Sequence, residues 1–340
     1  MKIFSYTDHE FPSPPAFLDD DRWPVQLSPG FARFYHEYYD GDVLLIHDTQ
    51  TDAWLPFHRI INRLARFGQI LHAPVNYFAE LNEEKQHFFY NKLLNFIAHE
   101  EVIHRFIQPH PYGIMLSKPD RCKSIKFGTY ITDLTQDADD HQLLYRYDPK
   151  YRKAIQHSIK NGGRVVFGRD SWKDFYSLYE ATAQRTGMFQ DHPTYFAKLR
   201  EHLGEDHTET GVIYDGDTPI GGIFMLYSQY AALCTHAGSG GESKLYGGVK
   251  HLHYEMMKRL RDKGVKSYDL VGVRIGGRNP ALEGIFRFKR GFGGNLKEGY
   301  LWKADIEGMH LRLYDMMQRL KNPNLKPDII DQESNEEQAT

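Results

Sequence analysis

TGVIYDGDTPIGGIFMLY, residues 210–227, is the stretch on which the fold turns. Its Asp215-Gly216 pair sits between two apolar runs, and glycine accepts the positive φ that tight hairpin turns need. The stretch reads as two antiparallel strands. Beyond it, YAALCTHAG is a third strand that runs into a glycine-rich loop and a long helix. Val249, Leu252, Met256, Met257 and Leu260 form the apolar stripe of that helix, and Gly264 lies just past its end. VKSYDLVGV is a further strand. Before the hairpin, RVVFG (164–168) is a short strand, and Asp170 or Ser171 caps the helix that follows. That helix carries Trp172, Phe175, Tyr176, Leu178 and Tyr179 at helical spacing and stops at Gly187. A second helix covers roughly 194–203. The order is strand, two helices, three strands, helix, strand, a short helix around 280–287, strand.

That is the order of the GNAT acyltransferase fold, and the first half echoes it. VLLIHD (43–48) and FGQILHAPV (67–75) read as strands, EEKQHFFYNKLLNFIAHE as a helix, and VIHRFIQP and SIKFGTYITDL as strands again. A chain of 340 residues exceeds the usual size of a single core. A degenerate duplication accounts for the length: an α/β chain of two tandem GNAT-like domains, with mixed sheets flanked by helices. The expected boundaries are 1–150 plus 305–325 for the first domain, closed by the C-terminal helix GMHLRLYDMMQRL. The second is 151–304, and a polar acidic tail, 326–340, frays. Between the halves, YDPKYRKAIQHSIKNGGR forms a basic helix.

A net charge of −3 argues against a globally basic nucleic-acid coat, so any anion site is local. The two cysteines, Cys122 and Cys234, are far apart and in no metal-like spacing, which fits a reducing cytosol. The opening MKIFSYTDHEFPSPPAFLDDD has no apolar run of signal-peptide length, and no segment approaches a membrane span. The expectation is a cytoplasmic protein.

Four segments carry a likeness over most of the chain: YRKAIQHSIKNG (151–162), FYSLYEATAQRTGM (175–188) with Tyr195-Phe196 after it, THAGS (235–239), and SYDLVGV followed by GIFRFKRGFGG (284–294). In these the chain resembles the FemABX family, aminoacyltransferases that use aminoacyl-tRNA to add amino acids to peptidoglycan precursors. The last segment is the most specific, because an aromatic-lysine pair before a glycine-rich turn is the family's C-terminal signature. No heptad run matches the family's coiled-coil arm, so the likeness is to the compact type. The resemblance implies aminoacyl-tRNA as co-substrate and a nucleotide- or lipid-linked cell-wall precursor as acceptor. It implies no cofactor, metal or DNA, and leaves open a peripheral contact with the inner membrane surface.

The chemistry of an aminoacyl ester suggests where the site lies. Amine attack places negative charge on the carbonyl oxygen, and a lysine nearby offsets it. Lys289 is the candidate, with Phe288 fixing it and offering a face to a base or sugar. Gly291 lets the backbone approach a ligand. Phe292, Arg287, Arg274 and Arg278 complete the expected donor side. His236, at a strand end where the family tends to have an aromatic residue, is the candidate base for the incoming ammonium or a plain hydrogen-bonding group in the cleft. Arg185, Tyr195, Asp269 and Ser239 are expected on the acceptor side.

His99 and His104 lie five apart, where a helical zinc pair wants four, so no metal site is expected there. KLYGGVKH (244–251) half matches the pyrophosphate loop of CoA-dependent enzymes of this fold: Lys244 and Gly247 fit, whereas Val249 would crowd a phosphate. Two alternatives to aminoacyl transfer stay open: an acyl-CoA-dependent N-acyltransferase acting on an amino sugar or surface-polysaccharide precursor, and a non-catalytic RNA-binding module using the basic helix.

Overall fold

The structure, a computed structural model, describes residues 1–136, 139–240, 245–275, 280–306, 308–321 and 327–332. The first part of the chain runs β1 (Lys2–Ser5), α1 (Pro29–Tyr39), β2 (Asp42–Asp48), β3 (Ala53–Ile61), β4 (Arg66–Ile70), β5 (Val75–Asn76), β6 (Ala79–Glu80), α2 (Glu83–His99), β7 (Arg105–Ile107), β8 (Lys123–Asp133) and α3 (Asp140–Arg146). The second runs α4 (Pro149–Lys160), β9 (Arg164–Phe167), α5 (Trp172–Thr186), α6 (Pro193–Leu203), β10 (Thr208–Asp215), β11 (Thr218–Tyr227), β12 (Ala232–Ser239), α7 (Gly248–Asp262), β13 (Ser267–Asp269), β14 (Val273–Arg274), α8 (Pro280–Arg290), β15 (Asn295–Asp305) and α9 (Gly308–Lys321).

The second part has the element order expected from sequence. Asp215 pairs with Thr218 across the turn, and Gly216 takes the positive φ (59°) that the hairpin requires. In the first part, β2, α2 and β8 fall where the pattern places them, whereas α1 and β3 were not anticipated. α1 is well specified locally: the Ser28 hydroxyl accepts from Phe31 N at 3.2 Å, and Pro29 supplies the first helical residue without wasting an N–H.

The strands form one mixed sheet in the order β1-β2-β3-β4-β7-β15-β8-β13-β12-β11-β10-β9. β8, from the first 150 residues, lies deep in the second part, pairing with β13, β14 and β15. β15 pairs with β8 through Lys303 and then with β7 through Ala304 and Asp305, and so carries the sheet across the middle of the molecule. α9 packs through Leu311 and Tyr314 on Ala65 and Phe67 of the first part, and Arg105 is clamped between Asp305 and Asp315.

Each part has its own core, and a third apolar cluster joins them. In that cluster Phe31, Phe34 and Tyr35 of α1 meet Phe175 and Tyr179 of α5 and Tyr195, Phe196 and Leu199 of α6. Each such side chain contributes about 1.5–3 kcal/mol on burial, so the two parts are held together by aromatic packing as well as by the sheet.

Candidate active site

β12 organises the candidate residues through an irregularity. Phe224 of β11 pairs with His236 and the next residue, Met225, with Cys234, so Thr235 is an extra residue on β12. Residues two apart on a strand normally share a face. The bulge breaks that rule. His236 joins the face covered by α5 and α6, with its ring 4.7 Å from Phe196 and 5.3 Å from Tyr179. Cys234 packs on the opposite face, in the core beneath α7. Beside this point the parallel pair β12–β13 has two rungs, Ala232 with Tyr268 and Leu233 with Asp269, and then the strands part.

Lys289 stands on the Cys234 side. Its Nζ donates to the Gly272 carbonyl at 2.7 Å and to the Val271 carbonyl, both just past the end of β13. Val271 is held at φ 54°, a conformation costly for a β-branched residue. Asp269 anchors that bend, accepting from Val271 N at 2.6 Å and from the Thr129 hydroxyl. Burial lowers the Lys289 ammonium to about 8, opposed by the nearby Cys234 and Asp269. Burial likewise raises the Asp269 carboxyl, against its hydrogen bonds to Thr129 and Val271 N and the attraction of Lys297 and Lys289. In both groups desolvation outweighs pairing, as expected for a charge in a dry pocket.

On the other face His236 Nε2 lies 3.1 Å from Asp191 Oδ2, and Nδ1 lies 2.9 Å from the Thr235 hydroxyl. Both imidazole nitrogens are thus engaged, and Nε2 faces the Asp191 carboxylate. Asp191 was not singled out in the sequence; it sits in the α5–α6 loop, QDHP, a polar break in an aromatic-rich stretch. Tyr179 adds a hydroxyl 3.4 Å from the same Oδ2 and accepts from Asp191 N at 3.0 Å. The first part of the chain supplies the opposite wall. The QPHPYG loop brings His110 and Tyr112, stacked at 4.6 Å, and the Tyr112 hydroxyl lies 3.4 Å from that of Tyr35. Burial lowers His110 to about 4, only partly opposed by Asp191, so it is neutral at pH 7.

The expected residues therefore divide. Tyr195, buried, has its ring 5.5 Å from His236. Ser239 follows on the same strand, and Arg185 donates to its hydroxyl at 3.0 Å. Asp269, expected on the acceptor side, stands instead with Lys289. The expected donor residues around Lys289 need correction. Phe292 is fully buried, against Tyr147, Tyr151, His253 and Phe288, and has no face for a ligand. Phe288 is half-buried in the same cluster, and its carbonyl accepts from the Tyr151 hydroxyl at 3.1 Å. A Cβ on Gly291 would collide with the Tyr151 ring, so this glycine answers to internal packing and not to a ligand. The motif's residues up to Arg290 are helical, which turns Arg287 outward to an exposed pairing with Glu283. Arg274 donates to Gln332 at 3.3 Å. Arg278 and Lys244 lie outside the described residues, as does most of the expected tail.

The pyrophosphate-loop argument also needs a new basis. Val249 faces the sheet, against Gly221 of β11, and does not crowd the loop. What covers the N-terminus of α7 is α4. A Cβ on Gly247 would strike the Ala154 carbonyl, and His157 Nδ1 lies 3.3 Å from the Tyr246 carbonyl.

Two other clusters merit comparison. Glu37, Glu201 and His202 are the one trio of metal-ligand type found among the described residues, and Lys198 already places its ammonium 2.9 Å from Glu37 and 3.0 Å from Glu201. An open groove lined by Asp8, Asp42, Arg59 and Arg66 belongs wholly to the first part and shares no residue with either centre; Arg59 pairs there with both carboxylates.

With this geometry in view, comparison with known proteins is informative. Residues 147–290, which include Lys289, Asp191 and His236, match the acetyltransferase (GNAT) domain family. The crystal structure of FemX superposes with a TM-score of 0.63 at 15% identity, covering 94% of this chain and 100% of FemX. The fold is that of FemX. The C-terminal domain of a putative lysylphosphatidylglycerol synthetase from Agrobacterium fabrum follows at a TM-score of 0.50 and 14% identity, covering 86% of this chain and 91% of that one. No curated protein matches the chain significantly in sequence. The two-part α/β architecture expected from the FemABX resemblance thus holds in fold. Among the described residues no helix is long and apolar enough to cross a membrane.

Proposed function

We propose that the chain transfers an aminoacyl group from aminoacyl-tRNA to an amine of a nucleotide- or lipid-linked cell-wall precursor. The observation that carries this reading is the parting of β12 and β13 between the two centres. Lys289 lies on one face of the sheet at the gap, and the Asp191–His236 pair lies on the other. An ester carbonyl seated in the gap meets a cation from one side and an amine from the other. As the C–N bond forms, the carbonyl oxygen takes the electron pair and Lys289 offsets its charge. The attacking nitrogen's protons become strongly acidic, and Asp191, oriented by His236, takes one. Collapse breaks the ester C–O bond, and the ribose oxygen leaves with the proton that the attacking nitrogen gave up to Asp191.

The packing of α4 on α7 supports a donor other than CoA. Pyrophosphate binding in this fold class uses the bare backbone N–H groups at that helix N-terminus, and here Ala154 lies against Gly247. The test is to incubate the protein with charged tRNA and, separately, with acetyl-CoA, each with a uridine-nucleotide-linked muramyl peptide, and follow products by mass spectrometry. Product with charged tRNA alone is expected, and RNA binding should weaken steeply with salt. Product with acetyl-CoA alone would overturn the reading and install the CoA-dependent alternative; RNA binding with no product from either donor would leave only the RNA-binding module.

A further inference from the structure

The helix α9 has two apolar faces, and the fold uses one of them. Leu311 and Tyr314 pack in the cluster with Ala65 and Phe67, and Asp315, on the same side, is held by Arg105. On the opposite side Leu313, Met316, Met317 and Leu320 recur at helical spacing, within an arc of about 100°. Leu313 is 46% exposed, Met316 54% and Leu320 77%. Single apolar side chains on a surface are ordinary, but a stripe of them along one helix marks a face that something else covers.

Cations border the stripe on both sides. Arg312 lies on one flank and Lys321 on the other, both exposed, and exposed Arg63 stands in the β3–β4 turn that packs on α9 through Ile60 and Ala65. The helix carries three Lys or Arg against one acidic residue, and that one, Asp315, is taken by Arg105. An apolar stripe between long cationic side chains suits a helix lying in a lipid interface, its stripe at the acyl boundary and its cations reaching the headgroups. A second copy of the chain suits it less well. Antiparallel pairing of two such helices along the stripe would set Arg312 of one against Lys321 of the other, and parallel pairing would set each cation against itself. At 14 residues the helix is too short to span a bilayer, so it would lie on the surface.

We infer that α9 docks the protein onto an anionic lipid surface, with Leu313, Met316 and Leu320 at the acyl boundary and Arg312 and Lys321 on the headgroup phosphates. The inference rests on the transfer reading only in favouring a lipid-linked acceptor over a nucleotide-linked one.

Co-sedimentation of the full chain with vesicles, without donor or acceptor, tests it. Binding is expected to vesicles of phosphatidylglycerol mixed with phosphatidylcholine, at least tenfold tighter than to phosphatidylcholine alone, and it should weaken as salt is raised. The double variant Met316→Gln/Leu320→Gln should bind at least tenfold more weakly, and so should Arg312→Glu/Lys321→Glu; circular dichroism establishes that each is folded. Equal binding to both kinds of vesicle, or unchanged binding in either folded variant, would overturn the inference. A dimer in sedimentation velocity that Met316→Gln/Leu320→Gln dissolves, with no vesicle binding by the parent, would overturn it too and give the face to a second copy. Vesicle binding as expected, with no transfer from charged tRNA, would keep the lipid-docking face and remove the transfer reading.

Discussion

The two faces of β12 solve different problems with similar parts. On one, Lys289 is a buried cation held by backbone carbonyls with its charge disfavoured by burial. On the other, Asp191 is a carboxylate held by an imidazole and one phenol. One face takes β8 and its Thr129 from the first part of the chain as a sheet neighbour; the other is walled by His110, Tyr112 and Tyr39 from loops and a helix of that part. Under the transfer proposed above, the Lys289 face serves the electrophile and the Asp191 face the nucleophile.

Substitutions on the two faces should separate accordingly. The largest effect is expected at Lys289: Lys289→Met should lower turnover by roughly two to three orders of magnitude, typical of losing one charge-stabilising group. Turnover near that of the parent in a folded variant would remove Lys289 from the mechanism. On the opposite face, His236→Phe should reduce kcat by about one order of magnitude, whereas His236→Gln, which keeps a donor toward Asp191, should recover much of it. If the two variants are equally impaired, His236 does more than orient Asp191.

Acidity gives a third separation. Lys289 loses its proton as pH rises through about 8, so turnover that needs the cation should decline above that pH, and Lys289→Arg should flatten the decline even at lower absolute rate. The linkage to stability has a definite sign: a lysine whose folded pKa lies below its unfolded value of 10.5 destabilises the fold below pH 8, and the cost fades as pH rises toward 10.5. Urea unfolding of Lys289→Met should therefore lack this rise. His253, pushed to about 3 by burial and then by the Lys289 charge, acts in the same direction over a more acid window. Its contribution is full above pH 6.5 and is lost as pH falls toward 3, so His253→Phe should unfold with a shallower acid slope.

The smaller effects concern the glycine-rich motif. Gly291→Ala should destabilise by about 1–3 kcal/mol through the collision with Tyr151, measured by thermal unfolding, while leaving donor affinity in the folded fraction unchanged. Arg287→Ala should shift stability by less than about 0.5 kcal/mol, as an exposed pair does, with RNA affinity altered only in its salt dependence.

Much of the architecture was legible because it rests on local chemistry. The Asp215-Gly216 turn, the stripe from Val249 to Leu260 and the order of elements after residue 164 are carried by turn residues and periodicity. α1 and β3 escaped for different reasons. α1 is aromatic on several sides because it lies in the joint cluster, which blurs its helical stripe, and β3 is buried along seven successive residues, which removes the strand alternation. Lys289 and His236 could be named from sequence, but not their placement on opposite faces, because a bulge at Thr235 leaves no mark in THAGS. Phe292 and Gly291 misled because a motif that packs against Tyr151 has the same composition as one that packs against a nucleotide. Asp191 and His110 were invisible since they meet only when distant loops converge.

The passage of β15 from β8 to β7 bears on how the protein can be handled and how it can move. Nine residues of β15, Asn295 to Lys303, are laddered to β8, and the last two are laddered to β7. Hinge opening between the two parts would tear a sheet. For the same reason a recombinant fragment beginning at residue 151 would present β13 and β15 as raw edges where β8 belongs, a template for self-association. The molecule is two lobes in outline but one unit to protein engineering: β8 must travel with the lobe it serves.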